Sequence, residues 1–409
     1  MATASTLSED AGPLNDSADK DVALADQYLR VDKNPAKAFE HYRKAADRGD
    51  AYAQYRLARL YAKGEGCRQS YQFSCEWVKK SAAQGFAPAE SLMGWFFEHG
   101  VVVKKDLSEA FSWYSSAADK GDANACFRLG EMLFNGEGTY QDKPVALTWY
   151  ERAANQGHAQ AQFMLGLAYA QASGSEQNYE KARRWFEEAA SRKYAPAHLE
   201  LGMLYAKGRG VAADYARAAD LLRDAAKSGL PEAQYQLGVV LSAGTGVETD
   251  HREAFRWYSV AASDGYTKAQ YELAKSYQYA RGTAKDLPKA LTWYKRAAQG
   301  GHAKAQFRLG HAYETGTGVQ QELGKARAWY EMAGRQGDIR SQKRIADMYL
   351  NGNGVKTDRT EAYIWFYFAS CLGDTESEQQ VQAIAADLSG DEKIQVEFLA
   401  EQRRAEFGL

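Results

Sequence analysis

The most constraining feature of this chain is a 36-residue pattern that occurs nine times between Gly49 and Gly373. Each copy closes on a glycine, with one substitution: Gly49, Gly85, Gly121, Gly157, Lys193, Gly229, Gly265, Gly301, Gly337 and Gly373. A fixed period of this length with two helical segments per copy is typical of a stacked solenoid. Solenoids grow by adding units, so the 409 residues predict one long array with an extended surface and no central catalytic pocket.

We number each copy from the residue that follows the closing glycine of the preceding copy. Position 4 is alanine in eight of nine copies, position 8 is Leu, Met or Ile, position 9 is Gly or Ala, and position 12 is large. These spacings trace one face of a helix. Glycine inside a helix costs about 1 kcal/mol relative to alanine. Its recurrence at position 9 therefore predicts that a neighbouring helix approaches closely there.

A glycine-rich loop separates the first helix of each copy from the second. Position 21, just before the second helix, is Asp in six copies, which predicts a helix N-cap. The second helix carries Ala at positions 25, 32 and 33, Trp at 28 and a bulky residue at 29. Eight of the nine tryptophans occupy position 28: Trp77, Trp113, Trp149, Trp185, Trp257, Trp293, Trp329 and Trp365. We interpret them as framework residues that pack over small side chains.

The pattern also sets the domain boundaries. Leu24, Ala25 and Tyr28 match positions 8, 9 and 12, so residues 20–49 form an abbreviated first repeat. Nine repeats follow: 50–85, 86–121, 122–157, 158–193, 194–229, 230–265, 266–301, 302–337 and 338–373. Residues 1–19 have the composition of a disordered lead-in. Residues 374–409 are predicted to form C-terminal capping helices, the last of which opens with a capping box of Ser389 and Glu392.

The composition argues against several classes of function. The chain has 51 basic and 53 acidic residues, without the basic excess of a nucleic-acid-binding protein. No apolar run approaches the roughly 18 residues that span a bilayer. The seven histidines show no metal-ligand spacing, and no nucleophile motif occurs. We therefore expect no enzymatic activity, no cofactor and no metal site. The four cysteines are expected to be free thiols, although a bridge between Cys67 and Cys75 is left open.

The recurring string A-x-A-Q-x-x-L-G-x-x-Y, G-x-G-V-x-x-D, K-A-x-x-W-Y-x-x-A-A-x-x-G resembles the Sel1-like repeat. Residues 302–337 show it well, with Ala305, Gln306, Leu309, Gly310, Tyr313, Gly316, Gly318, Val319, Lys325, Ala326, Trp329, Tyr330, Ala333 and Gly337. The resemblance implies an all-α, right-handed superhelical solenoid of about ten antiparallel helix pairs, similar to tetratricopeptide arrays. It also implies a bacterial adaptor or scaffold that acts through protein–protein interaction.

In such superhelices the first helices line the concave surface, and positions 3, 6, 10 and 13 point toward it. Position 6 is aromatic in six of nine copies, whereas position 10 differs in every copy. The position-6 rings either pack between adjacent first helices or line a groove that grips a peptide. Trp95 is the one tryptophan outside position 28, and it is expected near Phe127. The candidate partner-binding residues are Trp95, Tyr55, Arg59, Phe127, Phe163, Met203, Tyr235, Tyr271, Lys275, Phe307 and His311.

These features predict a non-enzymatic scaffold that binds a protein partner, as a peptide or a helix, along the concave surface. The alternative is a cell-envelope binding protein for polysaccharide or peptidoglycan assembly machinery. As written, the chain is expected in the cytoplasm. A signal peptide removed from the native protein would instead place it in the periplasm or at the envelope. The sequence does not identify the partner or the oligomeric state.

Overall fold

The computed structural model describes residues 16–171 and 177–409, and all regular secondary structure in these residues is helical. The predicted lead-in lies mostly outside the described residues, and the first helix begins inside it, at Asp16. The helices are α1 Asp16–Arg30, α2 Pro35–Asp47, α3 Ala51–Lys63, α4 Tyr71–Ala82, α5 Ala87–His99, α6 Leu107–Asp119, α7 Ala123–Asn135, α8 Lys143–Asn155, α9 Ala159–Gln171, α10 Tyr179–Ser191, α11 Ala195–Lys207, α12 Tyr215–Lys227, α13 Pro231–Ala243, α14 His251–Ser263, α15 Thr267–Tyr279, α16 Leu287–Gln299, α17 Ala303–Thr315, α18 Leu323–Gly334, α19 Ile339–Asn351, α20 Arg359–Cys371, α21 Thr375–Ala386 and α22 Gly390–Phe407.

The chain divides into two compact units, Met1–Ala197 and His198–Leu409. Within each unit, consecutive helices pack against one another, so that every repeat contributes a helix pair and the pairs stack in chain order. Both units are built from the same type of helix pair.

Each pair is an antiparallel hairpin, as the repeat 122–157 shows. Its first helix, α7, ends at Gly136, which has a left-handed backbone with φ 75°. The chain then returns, and the Asp142 N–H donates to the carbonyl of Leu133 at 2.8 Å. The Asp142 side chain accepts a hydrogen bond from the Val145 N–H, which caps α8. The predicted N-cap role is confirmed at position 21 for all six aspartates and for Asn178. Glu322 makes no such bond, and its carboxylate pairs with Lys325.

The glycine at position 9 accommodates a ring from the second helix of the same repeat. A Cβ placed on Gly130 would lie 2.8 Å from the Tyr150 ring, and one on Gly166 would lie 2.4 Å from the Phe186 ring. Real Cβ atoms do not make contacts this short, so the predicted close approach is confirmed. The approaching residue occupies position 29, not the tryptophan position 28.

Position 29 is the deepest layer of the core. Its residues are all buried: Tyr42, Val78, Tyr114, Tyr150, Phe186, Leu222, Tyr258, Tyr294, Tyr330 and Phe366. Of the tryptophans at position 28, only Trp365 is fully buried, and the other seven keep part of the ring exposed. The guanidinium carbon of Arg152 lies 4.4 Å from the centroid of the Trp149 ring, and that of Arg296 lies 4.5 Å from the centroid of Trp293. The tryptophans thus belong to the framework, but they lie at its edge.

A second loop glycine, at position 17, controls how closely repeats stack. A Cβ on Gly138 would lie 2.3 Å from the carbonyl oxygen of Leu107, which begins the second helix of the preceding repeat. In the second unit, a Cβ on Gly282 would lie 1.9 Å from the carbonyl oxygen of His251. Both glycines also have positive φ, near 70°. The glycine-rich loop therefore serves helix capping at position 15 and inter-repeat packing at position 17.

The ends of the array differ from its interior. In α1 the residue at position 8, Leu24, is 40 % exposed, whereas the same position is buried in the later repeats of the core. At the other end, α22 opens with the predicted capping box of Ser389 and Glu392. The helix packs on α20 through Val396 and Ala400, and its last turn places Phe407 against Trp365.

Candidate functional site

The aromatic residues at position 6 link consecutive first helices. Phe127 packs against Tyr150 of its own repeat and stacks on His158 of the next, with ring centroids 4.5 Å apart. Tyr271 repeats this arrangement with Tyr294 and, at 4.4 Å, with His302. Phe127 and Tyr271 are buried, whereas Tyr55, Phe163, Tyr235 and Phe307 are half-buried. These rings occupy the space between adjacent first helices, the first of the two arrangements that the sequence allowed.

The side chains at position 10 are also partly accessible. Arg59 is exposed, and the other eight, from Trp95 to Asp347, are half-buried like most of the position-6 rings. We call the surface formed by positions 3, 6, 10 and 13 of the first helices the first-helix face. On this face, position 10 offers the side chains and position 6 supports them.

Trp95 lies on the side of its helix that faces the preceding repeat. Its ring stacks on His99 at 4.6 Å and meets Phe96 edge-on at 5.5 Å. Its third aromatic neighbour is Tyr71, at the start of α4. The expected neighbour Phe127 packs instead against Tyr150 and His158. Trp95, Phe96 and Phe97 are three consecutive aromatic residues. Of these, Phe96 is fully buried and Phe97 is partly buried.

Trp95 forms one wall of a cavity of about 300 Å³ between two repeats. The cavity is lined by Arg59, Ala62, Lys63, Tyr71, Leu92, Trp95 and Phe96. These residues occupy positions 10, 13, 14 and 22 of one repeat and positions 7, 10 and 11 of the next. We use the term junction for the place where position 13 of one repeat meets positions 7 and 10 of the following repeat. This first junction is Ala62, Leu92 and Trp95.

The equivalent junction one repeat later is filled by charged side chains. Glu98 accepts a hydrogen bond from the Tyr114 hydroxyl at 2.8 Å and pairs with Arg128 of the next repeat. Arg128 also pairs with Glu131 at position 10. Burial raises the pKa of the Tyr114 hydroxyl, and Glu98 raises it further, so the phenol remains a donor to the carboxylate. An ionic network thus occupies the positions that line the cavity one repeat earlier.

A further junction, in the second unit, is closed in the same way. Glu314 accepts a hydrogen bond from Tyr330 at 2.6 Å, and Arg344 lies 3.9 Å from the same carboxylate. Near the start of the chain, Asp26, at position 10 of the abbreviated repeat, lies between Tyr42 and Arg56. The sequence analysis did not identify these networks. In the full repeats their signal was the opposite charge of residues 30 apart, at position 13 and at position 7 of the next copy.

A second missed feature is the glutamine at position 5, present in six of the nine copies, which joins its repeat to the one before. Gln54 donates to the carbonyl of Ala46 at 3.2 Å, and Gln342 donates to that of Gly334 at 2.8 Å. Buried polar groups need partners, so these glutamine bonds help to fix the stacking register. Where position 5 is Glu90, the carboxylate is instead bound within its own repeat, by Lys120 at 2.5 Å and by Ser116.

Comparison with known proteins identifies the family. The Sel1 repeat model matches ten segments, at residues 23–50, 51–86, 87–122, 123–158, 159–194, 195–230, 231–266, 267–302, 303–338 and 339–374. This chain belongs to the Sel1 repeat family. The predicted all-α helical solenoid is confirmed by the same match and by solved structures.

Two crystal structures illustrate the similarity to other Sel1 repeat proteins. A protective antigen with an SLR fold from uropathogenic Escherichia coli strains is 28 % identical, with a TM-score of 0.63, over 95 % of this chain and 92 % of that one. A Sel1 repeat protein from Oxalobacter formigenes is 32 % identical, with a TM-score of 0.54, over 60 % of this chain and 96 % of that one. A comparison with curated proteins gave no match.

Sel1 repeat proteins generally mediate protein–protein interactions, and their fold is typically a non-enzymatic scaffold. In the part of this Sel1 repeat protein that the structure describes, no group of His, Cys, Asp and Glu side chains is arranged to hold a metal ion. Across the same residues, no helix is both long and apolar enough to cross a membrane. All four cysteines are free thiols, so Cys67 and Cys75 are not bridged.

Two histidines, at position 1 of their repeats, cap first helices of the Sel1 stack. His158 and His302 are N-caps whose Nδ1 atoms accept from the N–H groups of Ala161 and Ala305. Burial lowers the pKa of both imidazoles, and Lys304 lowers that of His302 further. Protonation would remove the acceptor and place a positive charge at a helix N-terminus, where the helix dipole disfavours it.

We expect the stability of this protein to fall as the pH drops through the range in which unfolded histidine titrates, near 6.5. Because the folded-state pKa is lowered, the unfolded chain binds more protons there, and the contribution is complete only above that range. The measurement is denaturant unfolding at about pH 7.5 and about pH 5. The control is the double variant His158→Asn, His302→Asn, since Asn34 and Asn178 cap helices of this chain. It should lose clearly less stability over the same interval, and an equal loss would contradict the assignment.

Proposed function

We propose that this Sel1 repeat protein is a non-enzymatic scaffold that binds a segment of a partner protein on its first-helix face. The observation that supports this most directly is the open junction at Ala62, Leu92 and Trp95. Equivalent junctions are closed by Glu98 with Arg128 and by Glu314 with Arg344. This junction holds an apolar cavity of about 300 Å³, whereas side chains of the chain itself occupy the equivalent positions elsewhere. The cavity is therefore a candidate pocket for a partner's side chain.

The chemistry of this cavity suits a peptide anchor. Its walls are the rings of Trp95, Phe96 and Tyr71, and Tyr71 is 41 % exposed. Arg59 and Lys63 stand at its rim. Buried aromatic pockets with a polar rim containing arginine are typical of protein interfaces, where a few anchors carry most of the binding energy. An apolar side chain followed by an acidic residue would satisfy both parts.

The candidate residues take different roles in this proposal. In the first unit, Arg59 and Trp95 contact the partner directly, whereas Tyr55, Phe127 and Phe163 hold the first helices in place. In the second unit, Met203, Lys275 and His311 at position 10 contact the partner, supported by the rings of Tyr235, Tyr271 and Phe307. Stacking on a sugar requires an open ring face, and histidines cover the faces of Phe127 and Tyr271. This favours a polypeptide over a glycan at position 6.

The test is selection of random linear peptides on the full-length chain, followed by hydrogen–deuterium exchange of the chain with a selected peptide. We expect the peptides to share an apolar anchor and to protect α3, the start of α4 and α5. Protection confined to the second-helix surface would contradict the proposal. A failure to enrich any peptide over an unrelated helical protein would also contradict it.

A further inference from the structure

A second junction, in the unit His198–Leu409, is open and polar. It consists of Gln278 at position 13 and of Arg308 and His311 at positions 7 and 10 of the next repeat. Together with Tyr294 and Thr317, these residues line a cavity of about 120 Å³ whose apolar wall includes Leu291. The position in the fold is that of the Trp95 cavity, but the lining differs completely.

Arg308 is the counterpart of arginines that pair with carboxylates elsewhere in the chain. Arg56 faces Asp26, Arg128 pairs with Glu98, and Arg344 lies near Glu314. At this junction, position 13 is Gln278, and no ion pair within the described residues joins Arg308 to a carboxylate. The Arg308 guanidinium interacts with the Tyr271 hydroxyl, and its Nε atom is buried without a hydrogen-bond partner.

The rest of the network is present although the carboxylate is missing. The Tyr294 hydroxyl donates to Oε1 of Gln278 at 2.6 Å, as Tyr330 does to Glu314. The acidic residue Glu272, in the preceding first helix, is bound at 2.8 Å by Lys275. The arginine and the tyrosine thus occupy the same repeat positions as at the closed junctions, with an uncharged amide where those junctions have a negative charge.

We propose that the Arg308 cavity is a binding site for the carboxylate of an acidic side chain of a partner protein. The closed junctions at Glu98 and Glu314 define the ligand, because each places a carboxylate beside the arginine at position 7. Planar guanidinium and carboxylate groups form paired, charge-assisted hydrogen bonds, and a partly buried site strengthens them. This inference rests on the proposed function for the source of the carboxylate, and it assigns the second unit a specificity for acidic residues.

The first experiment tests the cavity without any partner. The Nε–Hε signals of the arginines are followed by NMR in the full-length chain while N-acetyl-glutamate amide is added. We expect a saturable shift of the Arg308 signal, with no comparable shift from N-acetyl-glutamine amide. The Arg344 signal is the internal control, because Glu314 already lies beside it. An equal response to both compounds, or no response of Arg308, would overturn the proposal.

Two variants show whether the site has the proposed form. Gln278→Glu supplies the carboxylate of the closed junctions from within, so it should weaken binding of N-acetyl-glutamate amide at least tenfold while the protein unfolds at the same or a higher temperature. Arg308→Gln should abolish binding. A Gln278→Glu variant that folds and binds as tightly as the original chain would overturn the proposal. Tighter binding of inorganic phosphate than of the carboxylate would overturn the choice of ligand.

The two proposals can fail separately. If Arg308 responds to the carboxylate but no peptide is enriched on the chain, the cavity stands and the proposed function fails. If peptides bind at Trp95 but neither Gln278→Glu nor Arg308→Gln changes any carboxylate response, the function stands and the Arg308 site fails.

Discussion

Replacing Tyr150 with alanine is expected to destabilise the protein by about 3–5 kcal/mol, the usual cost of deleting a large buried ring. Tyr150 is almost completely buried and lies directly over Gly130. It also supports Phe127, so its removal loosens the contact between consecutive first helices. Because solenoid stability is the sum of local terms, unfolding should become multi-step.

The matched control is Trp149→Ala, one position earlier on the same helix. The Trp149 ring is partly exposed and is covered by Arg152 at 4.4 Å, so its removal creates an indentation in the surface and no closed cavity. The loss of stability should be clearly smaller than for Tyr150→Ala. Denaturant unfolding followed by circular dichroism measures both. If Trp149→Ala costs as much as Tyr150→Ala, position 28 and not position 29 is the centre of the core.

Replacing Trp95 with alanine is expected to weaken the binding of a selected peptide by about 2 kcal/mol or more, which corresponds to roughly 30-fold in Kd. The ring forms a wall of the open junction, and its truncation would merge the cavity with solvent. Stability should fall much less, because Trp95 is only partly buried and Phe96 beside it remains buried. Calorimetric titration and thermal unfolding of the same samples separate the two effects.

The control for this variant is Trp113→Ala. Trp113 is a framework tryptophan at position 28 of the same repeat, on the second helix. Its removal should affect stability and leave peptide affinity nearly unchanged. A Trp95→Ala protein that loses several kcal/mol of stability but binds normally would show that the ring is part of the core, and the proposed function would lose its principal contact.

Local features of this fold could be derived from the sequence because they depend on residues close together in the chain. The Asp at position 21 and the capping box of Ser389 and Glu392 are satisfied within a single helical turn, so their sequence pattern suffices. The 36-residue period indicated helix pairs because each pair repeats the same contacts. The glycine at position 9 indicated a close helix contact because no other explanation offsets its cost inside a helix.

The sequence analysis assigned packing over the small residues to position 28, hence to Trp149, and the structure places Tyr150 of position 29 over Gly130. Adjacent helical residues point in directions about 100° apart, and both positions carry aromatic residues with the same period. Only the packing of α8 against Gly130 places Tyr150 inward and leaves Trp149 at the edge.

The junctions depend on the tertiary structure for the same physical reason. Gln278 and Arg308 are 30 residues apart, and whether their side chains meet depends on how two helix pairs stack. The sequence determined that this chain is an array of identical frames with variable residues at position 10. The stacking of the frames decided that positions 7, 10 and 13 meet, and which of these meeting points are filled by ion pairs and which remain open.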